Sequence, residues 1–145
     1  MKIFLAGFIS VVLSLSVKSD DRDPGMTSFE QQDYASALSN WAIHAATGNP
    51  DAQFNLGYLY ENGFGTTKSL NTAKFWYSQS ALQGSAVAQH HLATLHHDSE
   101  QYVAAVNWYT RSAEQGFAEA QADLGASYGL GQGVPQSYVY ALMWS

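Results

Sequence analysis

Apolar residues over most of this chain recur every three or four positions, the rhythm of a helix with one buried stripe. In "DAQFNLGYLY" (51–60), Ala52, Leu56 and Tyr60 fall at i, i+4 and i+8. A second kind of segment carries Ala73, Trp76-Tyr77 and Ser80-Ala81 in the same rhythm. Together they predict seven helices, over 33–47, 50–62, 69–83, 85–97, 101–115, 117–129 and 137–145, and so an all-α chain. The punctuation agrees. Asn49 caps and Pro50 occupies a first helical position, where its missing N–H costs nothing. Asp33, Ser69, Ser85 and Ser137 stand at other starts. Gln101 is a poor cap, and Ser99 is expected to serve in its place. Gly84 is a natural left-handed stop.

The two kinds of segment alternate and repeat. "DAQFNLGYLY" returns as "VAQHHLATLH" (87–96) and "EAQADLGASY" (119–128). Gly48, Gly84 and Gly116 mark the period, at spacings of 36 and 32 residues. After each come Ala-Gln, then Leu-Gly or Leu-Ala, then Tyr60, His96 or Tyr128. Gly63-x-Gly65 and Gly131-x-Gly133 follow in two copies; recurring with the repeat, without a preceding strand or following Lys, they read as turns and not as a phosphate loop. One helix pair cannot bury its stripe alone, whereas stacked pairs can, so this period predicts a solenoid. Gly57 and Gly125 each cost about 1 kcal/mol relative to Ala inside a helix, which implies close approach of a neighbour there. Trp76, Tyr77, Trp108 and Tyr109 fill the wider gaps.

These columns resemble the Sel-1-like repeat, a relative of the tetratricopeptide repeat. The pattern is Ala-x-x-Trp-Tyr-x-x-Ala-Ala-x-x-Gly, then Ala-Gln-x-x-Leu-Gly-x-x-Tyr-x-x-Gly-x-Gly, and residues 107–134 carry its cleanest copy. The resemblance covers 33–145 as three repeats, the last incomplete. It implies an α/α right-handed superhelical solenoid, with the Ala-Gln helices lining a concave side and the Trp-Tyr helices outside. The middle unit departs from the pattern: it is four residues shorter, lacks the Gly-x-Gly loop and puts His96 in the Tyr column. Asn40 takes the Trp column in the first unit, with Trp41 beside it.

The ends change the picture. Residues 1–19, "MKIFLAGFISVVLSLSVKS", join a basic start to an apolar run of about fifteen residues, which reads as a secretory signal peptide rather than a membrane span of roughly 20 residues. The expected location is periplasmic or secreted, with no stable membrane span after cleavage. Residues 20–32 read as a flexible lead-in. Beyond the signal, four basic residues face all 12 acidic ones, which argues against nucleic acid as partner. There are no cysteines, so packing alone holds the fold. The last helix, "SYVYALMWS", has no polar outer face. Tyr138, Leu142 and Trp144 are therefore expected to form a terminal apolar contact, with a partner or by self-association, unless the chain is a truncated, non-functional fragment.

Chemistry is sparse. Some cysteine-rich members of the resembled family are linked to β-lactam binding or hydrolysis, and such an enzyme is the alternative reading. However, this chain has no Ser-x-x-Lys, no Lys-Thr-Gly and no His-Glu-x-x-His. No catalytic residue, cofactor or metal is expected. His90 and His97 share a helix face, but seven residues of helix rise separate the rings by roughly 10 Å, too far for one ion. The resemblance instead implies a groove along the concave side, formed by Asp51, Phe54, Tyr58, Glu61 and Asn62 from the first unit. His90, Thr94, His97 and Asp98 add to it from the second, and Glu119 from the third. Acidic with some aromatics, it suits another protein or an extended basic or amphipathic peptide. The expected function is an exported scaffold that binds proteins and makes no bonds itself.

Overall fold

The computed structural model describes residues 23–145, so the expected signal peptide at 1–19 lies outside the described residues. Eight helices follow in order: α1 Pro24–Glu30, α2 Tyr34–Ala46, α3 Pro50–Asn62, α4 Leu70–Leu82, α5 Ala86–Asp98, α6 Tyr102–Glu114, α7 Ala118–Leu130 and α8 Tyr138–Met143. No strand occurs among the described residues. Each helix packs on the helix before and after it in the chain, so the core is built between successive elements and runs the length of the stack. The result is the expected helical solenoid, with α3, α5 and α7 forming one layer and α2, α4, α6 and α8 the other.

The local signals act largely as the sequence implies. Asn49 Oδ1 accepts from the Ala52 N–H at 2.9 Å, and Asp33, Ser69, Ser85 and Ser137 cap their own helices. Gly48, Gly84 and Gly116 all adopt positive φ. Three details differ. Ser99 does not cap α6; its hydroxyl donates back to the Leu95 carbonyl, and α6 starts without a side-chain cap. The last helix stops at Met143 rather than continuing to 145. Residues 24–30, expected within a flexible lead-in, form α1, because Asp23 caps it and Gly25 packs against buried Trp41.

The repeated Ala-Gln has a physical explanation. Ala52, Ala88 and Ala120 are buried and leave room for the preceding helix. The adjacent glutamines donate to the closing carbonyls of that helix: Gln53 to Ala45, Gln89 to Ala81 and Gln121 to Ala113, at 3.1–3.2 Å. Gln83 and Gln115 then donate to Gln53 and Gln89 at 2.7 and 2.8 Å, which threads an amide ladder through the stack. Ser80 and Ser112 donate to the Pro50 and Ala86 carbonyls at the next rung. Among the described residues, no buried side-chain polar atom lacks a partner. Gly57 is needed for a separate reason: a Cβ there would lie 2.7 Å from the buried Tyr77 ring.

A longer period runs beneath the single unit. Gln32 and Glu100, 68 residues apart, are the only non-glycine positions with positive φ among the described residues, at 61° and 58°. Each sits in the middle of a three-residue connection with no Gly-x-Gly loop. At the same spacing, Gly25 faces Trp41 as Ala93 faces Tyr109. Likewise Gly65 closes on the Tyr34 carbonyl and Gly133 on the Tyr102 carbonyl, so tightly that a side chain at either would collide. α1 thus takes the place that the second half of α5 takes 68 residues later.

Candidate partner-binding face

The exposed side of the α3–α5–α7 layer gathers side chains that no single helix could assemble. At the α3–α5 seam, Tyr77 runs fully buried from α4 and donates its hydroxyl to Glu61 Oε2 at 2.5 Å. His91 Nδ1 of α5 stands 3.5 Å from the same carboxylate oxygen. The His91 ring is walled by Phe54, Tyr77 and Tyr58, at centroid distances of 5.1, 5.2 and 6.5 Å. The His91 imidazole holds the Glu61 carboxyl below its usual range, with help from the Tyr77 hydroxyl and against the effect of burial. Burial first, and Glu61 second, push the Tyr77 phenol far up.

At the α5–α7 seam the same logic uses different residues. His90 Nε2 pairs with Asp123 Oδ2 at 2.8 Å and packs near Tyr109 and Phe117. Asp123 occupies in α7 the column that His91 occupies in α5. The adjacent residues His90 and His91 therefore reach opposite ways, one to the third unit and one to the first. Tyr109 places its hydroxyl 3.3 Å from Thr94 Oγ1, and burial raises its pKa. His97 contacts Tyr102 edge-on and reaches Gln132 Oε1 at 3.2 Å.

Most of the sequence-derived groove maps onto this face. Phe54, Tyr58, Glu61, His90, Thr94 and His97 lie along it, half-buried. Asn62 is exposed and donates to the Tyr58 carbonyl. Asp98 is exposed at the end of α5, 3.7 Å from His97 Nδ1. Asp51 and Glu119 are exposed in the first turns of α3 and α7, away from the aromatic cluster and close to the helix starts. At the far end, Tyr138 and Leu142 point outward, at 70% and 77% exposure, whereas Trp144 turns in against the last core cluster. The groove as read from sequence lacks His91, Asp123, Tyr77 and Tyr109. Their signal was columnar: each occupies a repeat position whose counterpart also touches this face.

The face offers binding chemistry. Residues 125–129, Gly-Ala-Ser-Tyr-Gly, have the letters of a nucleophile elbow, a match the sequence reading above misses. The match is spurious. The segment lies inside α7 rather than on a strand-to-helix turn, and Ser127 is buried with its hydroxyl donating to the Asp123 carbonyl at 2.9 Å. No three His, Cys, Asp or Glu side chains among the described residues converge as a metal site would require.

A model of the Sel1 repeat matches residues 50–85, 86–117 and 118–145. A Sel1 repeat protein of Oxalobacter formigenes superposes with a TM-score of 0.79 at 34% identity, over 83% of this chain and 51% of that one. A protective antigen of uropathogenic Escherichia coli strains, with an SLR fold, gives 0.73 at 29% identity over 77% of this chain and 25% of that one. Among curated proteins, the sel1-like repeat-containing protein L21 of Acanthamoeba polyphaga mimivirus is 41% identical over 56 residues. The chitin synthase regulator SKT5 of Saccharomyces cerevisiae is 48% identical over 42. The matches span 10% and 6% of those two proteins' lengths.

Proposed function

Because the chain belongs to the Sel1 repeat family, whose members are typically protein-binding scaffolds, we propose that it holds another protein along the α3–α5–α7 face. That face is the concave side in this reading, and the segment it holds is extended. The observation that carries the reading is the composition of the face: Phe54, Tyr58, His90, Thr94 and His97 lie along it part-exposed, with His90 paired to Asp123 and Thr94 held against the hydroxyl of buried Tyr109. Rigid aromatics and adaptable hydrogen-bonding groups are the material of protein recognition. The acidic balance favours a basic or amphipathic segment. The face does its work without catalysis. The apolar leader supports export, and the protein acts in the periplasm or outside the cell.

The test is a gentle crosslinking pull-down from the source cell, with the tagged full chain beside a Phe54→Ala/Tyr58→Ala variant. A discrete partner lost in the variant, with the variant's melt still cooperative, is the expected result. A partner retained at full yield would move the contact to the exposed α8 end and sink the face as the binding surface.

A further inference from the structure

The 68-residue period lets one half of the chain be compared with the other, and one place differs in kind. In the first half, Tyr58 lies with its ring centroid 6.2 Å from both Phe29 and Phe64, and these two lie 6.2 Å from each other. Phe29 also meets Tyr34 edge-on at 5.4 Å. In the second half the frame is kept: His97 meets Tyr102 edge-on at 5.2 Å, just as Phe29 meets Tyr34. The filling is gone. Ala126 stands where Tyr58 stood, and Gln132 replaces Phe64. The missing ring leaves a cleft of about 380 Å³, walled chiefly by Thr94, His97, Tyr109, Asp123, Ala126 and Gln132. That volume lies at the small end of what ligand sites use.

The walls changed along with the filling. Met26, Phe29, Trp41, Asn55 and Phe64 of the first half correspond to Thr94, His97, Tyr109, Asp123 and Gln132 of the second. A lining apolar but for Asn55 became one of hydroxyls, an imidazole, a carboxylate and an amide, with Leu130 at its edge in the place of Asn62. Thr94 pairs with Tyr109, His97 with the Gln132 side-chain carbonyl and one Asp123 oxygen with His90, but the second Asp123 oxygen and the Gln132 amide N–H keep capacity that a purely hydrocarbon occupant would desolvate without return. We propose that this cleft receives a tyrosine side chain of the bound partner, its ring in the space Tyr58 fills in the first half and its hydroxyl paired with the polar wall. Thr94 and His97 already belong to the partner-binding face, so this inference rests on that reading and assigns it an anchor residue.

The probe is N-acetyl-L-tyrosinamide, titrated into the isotope-labelled chain and followed by amide NMR. Saturable shifts are expected at Thr94, His97, Ala126 and Gln132, with a dissociation constant on the order of 1–10 mM, as befits one side chain. The variant A126Y restores the chain's own ring. It should bind the probe at least tenfold more weakly while melting no lower than the parent, and Q132F, which restores the wall of Phe64, should weaken binding as well. N-acetyl-L-phenylalaninamide should bind at least fivefold more weakly than the tyrosine probe. No saturable shift, undiminished binding in both variants, or equal affinity for the two probes would each overturn the proposal. The pull-down separates the two ideas. A captured partner with no probe binding removes the cleft alone. Probe binding without any partner removes the scaffold reading, and the tyrosine anchor with it.

Discussion

Glu61 joins the layers and offers the sharpest energetic test. Its carboxylate is the acceptor for the fully buried Tyr77 hydroxyl and the charged neighbour of His91. Replacing it with Ala strands a buried phenol O–H, at about 1–3 kcal/mol, and removes a charge-assisted bond worth about 1.5–3 kcal/mol. The two overlap, so Glu61→Ala should cost about 2–3 kcal/mol. Glu61→Gln keeps an acceptor and should cost about 1 kcal/mol. For a domain of this size each kcal/mol moves Tm by roughly 3–6 °C. Acidity supplies a second reading. The folded pKa of Glu61 is depressed below its ordinary 4.5. The carboxylate therefore stabilises the fold above the unfolded value, and that contribution disappears as pH falls through the lower, folded one. Urea unfolding at pH 7 and at pH 3 should show wild type ahead of Glu61→Gln at the first and by a smaller margin at the second. Equal stability of Ala and Gln variants at pH 7, or a wild-type advantage unchanged at pH 3, would refute this account of the seam.

Two further outcomes follow from the packing. Gln89→Ala removes the bonds to the Ala81 carbonyl and from Gln115 in the middle of the amide ladder. It should lower the urea midpoint by the equivalent of about 2–3 kcal/mol with an unchanged m-value; a neutral effect would show the ladder to be incidental. At Gly25 a Cβ would lie 2.3 Å from Trp41 Nε1, and that nitrogen donates to Asp23 at 2.6 Å. Gly25→Ala should therefore release α1: hydrogen exchange should speed up over residues 24–32 while α3 to α7 stay protected. Unchanged exchange there would show that α1 does not depend on this contact.

The stacking was legible in the sequence because it is periodic. Ala-Gln, Leu-Gly and Trp-Tyr recur in register because each does the same mechanical job in every unit, and spacing alone exposes them. What was not periodic was harder to read. Residues 24–30 contain little apolar matter, so nothing local marked a helix; only Gly25, placed 68 residues before Ala93 and facing Trp41, betrays its place in the stack. Ser99 looked like a cap by composition, but its hydroxyl found a nearer acceptor in its own helix. On the candidate face, His91 and Asp123 escaped notice because they work across seams between units. A pattern read along one helix finds the residues facing outward and misses those whose partners arrive from the next helix. Tyr77 and Tyr109 were legible as fillers, but their hydroxyls, which set Glu61 and Thr94 in place, were not.

The central claim is that a protein partner lies along the α3–α5–α7 layer, and site-specific photocrosslinking in the source cell tests it most directly. A photoreactive phenylalanine analogue at Tyr58 or Thr94 should trap one discrete protein. The same analogue at Phe75 or Val103, both exposed on the opposite layer at 54% and 65%, should trap none. Crosslinks of equal yield from both layers, or from Phe75 and Val103 alone, would contradict it.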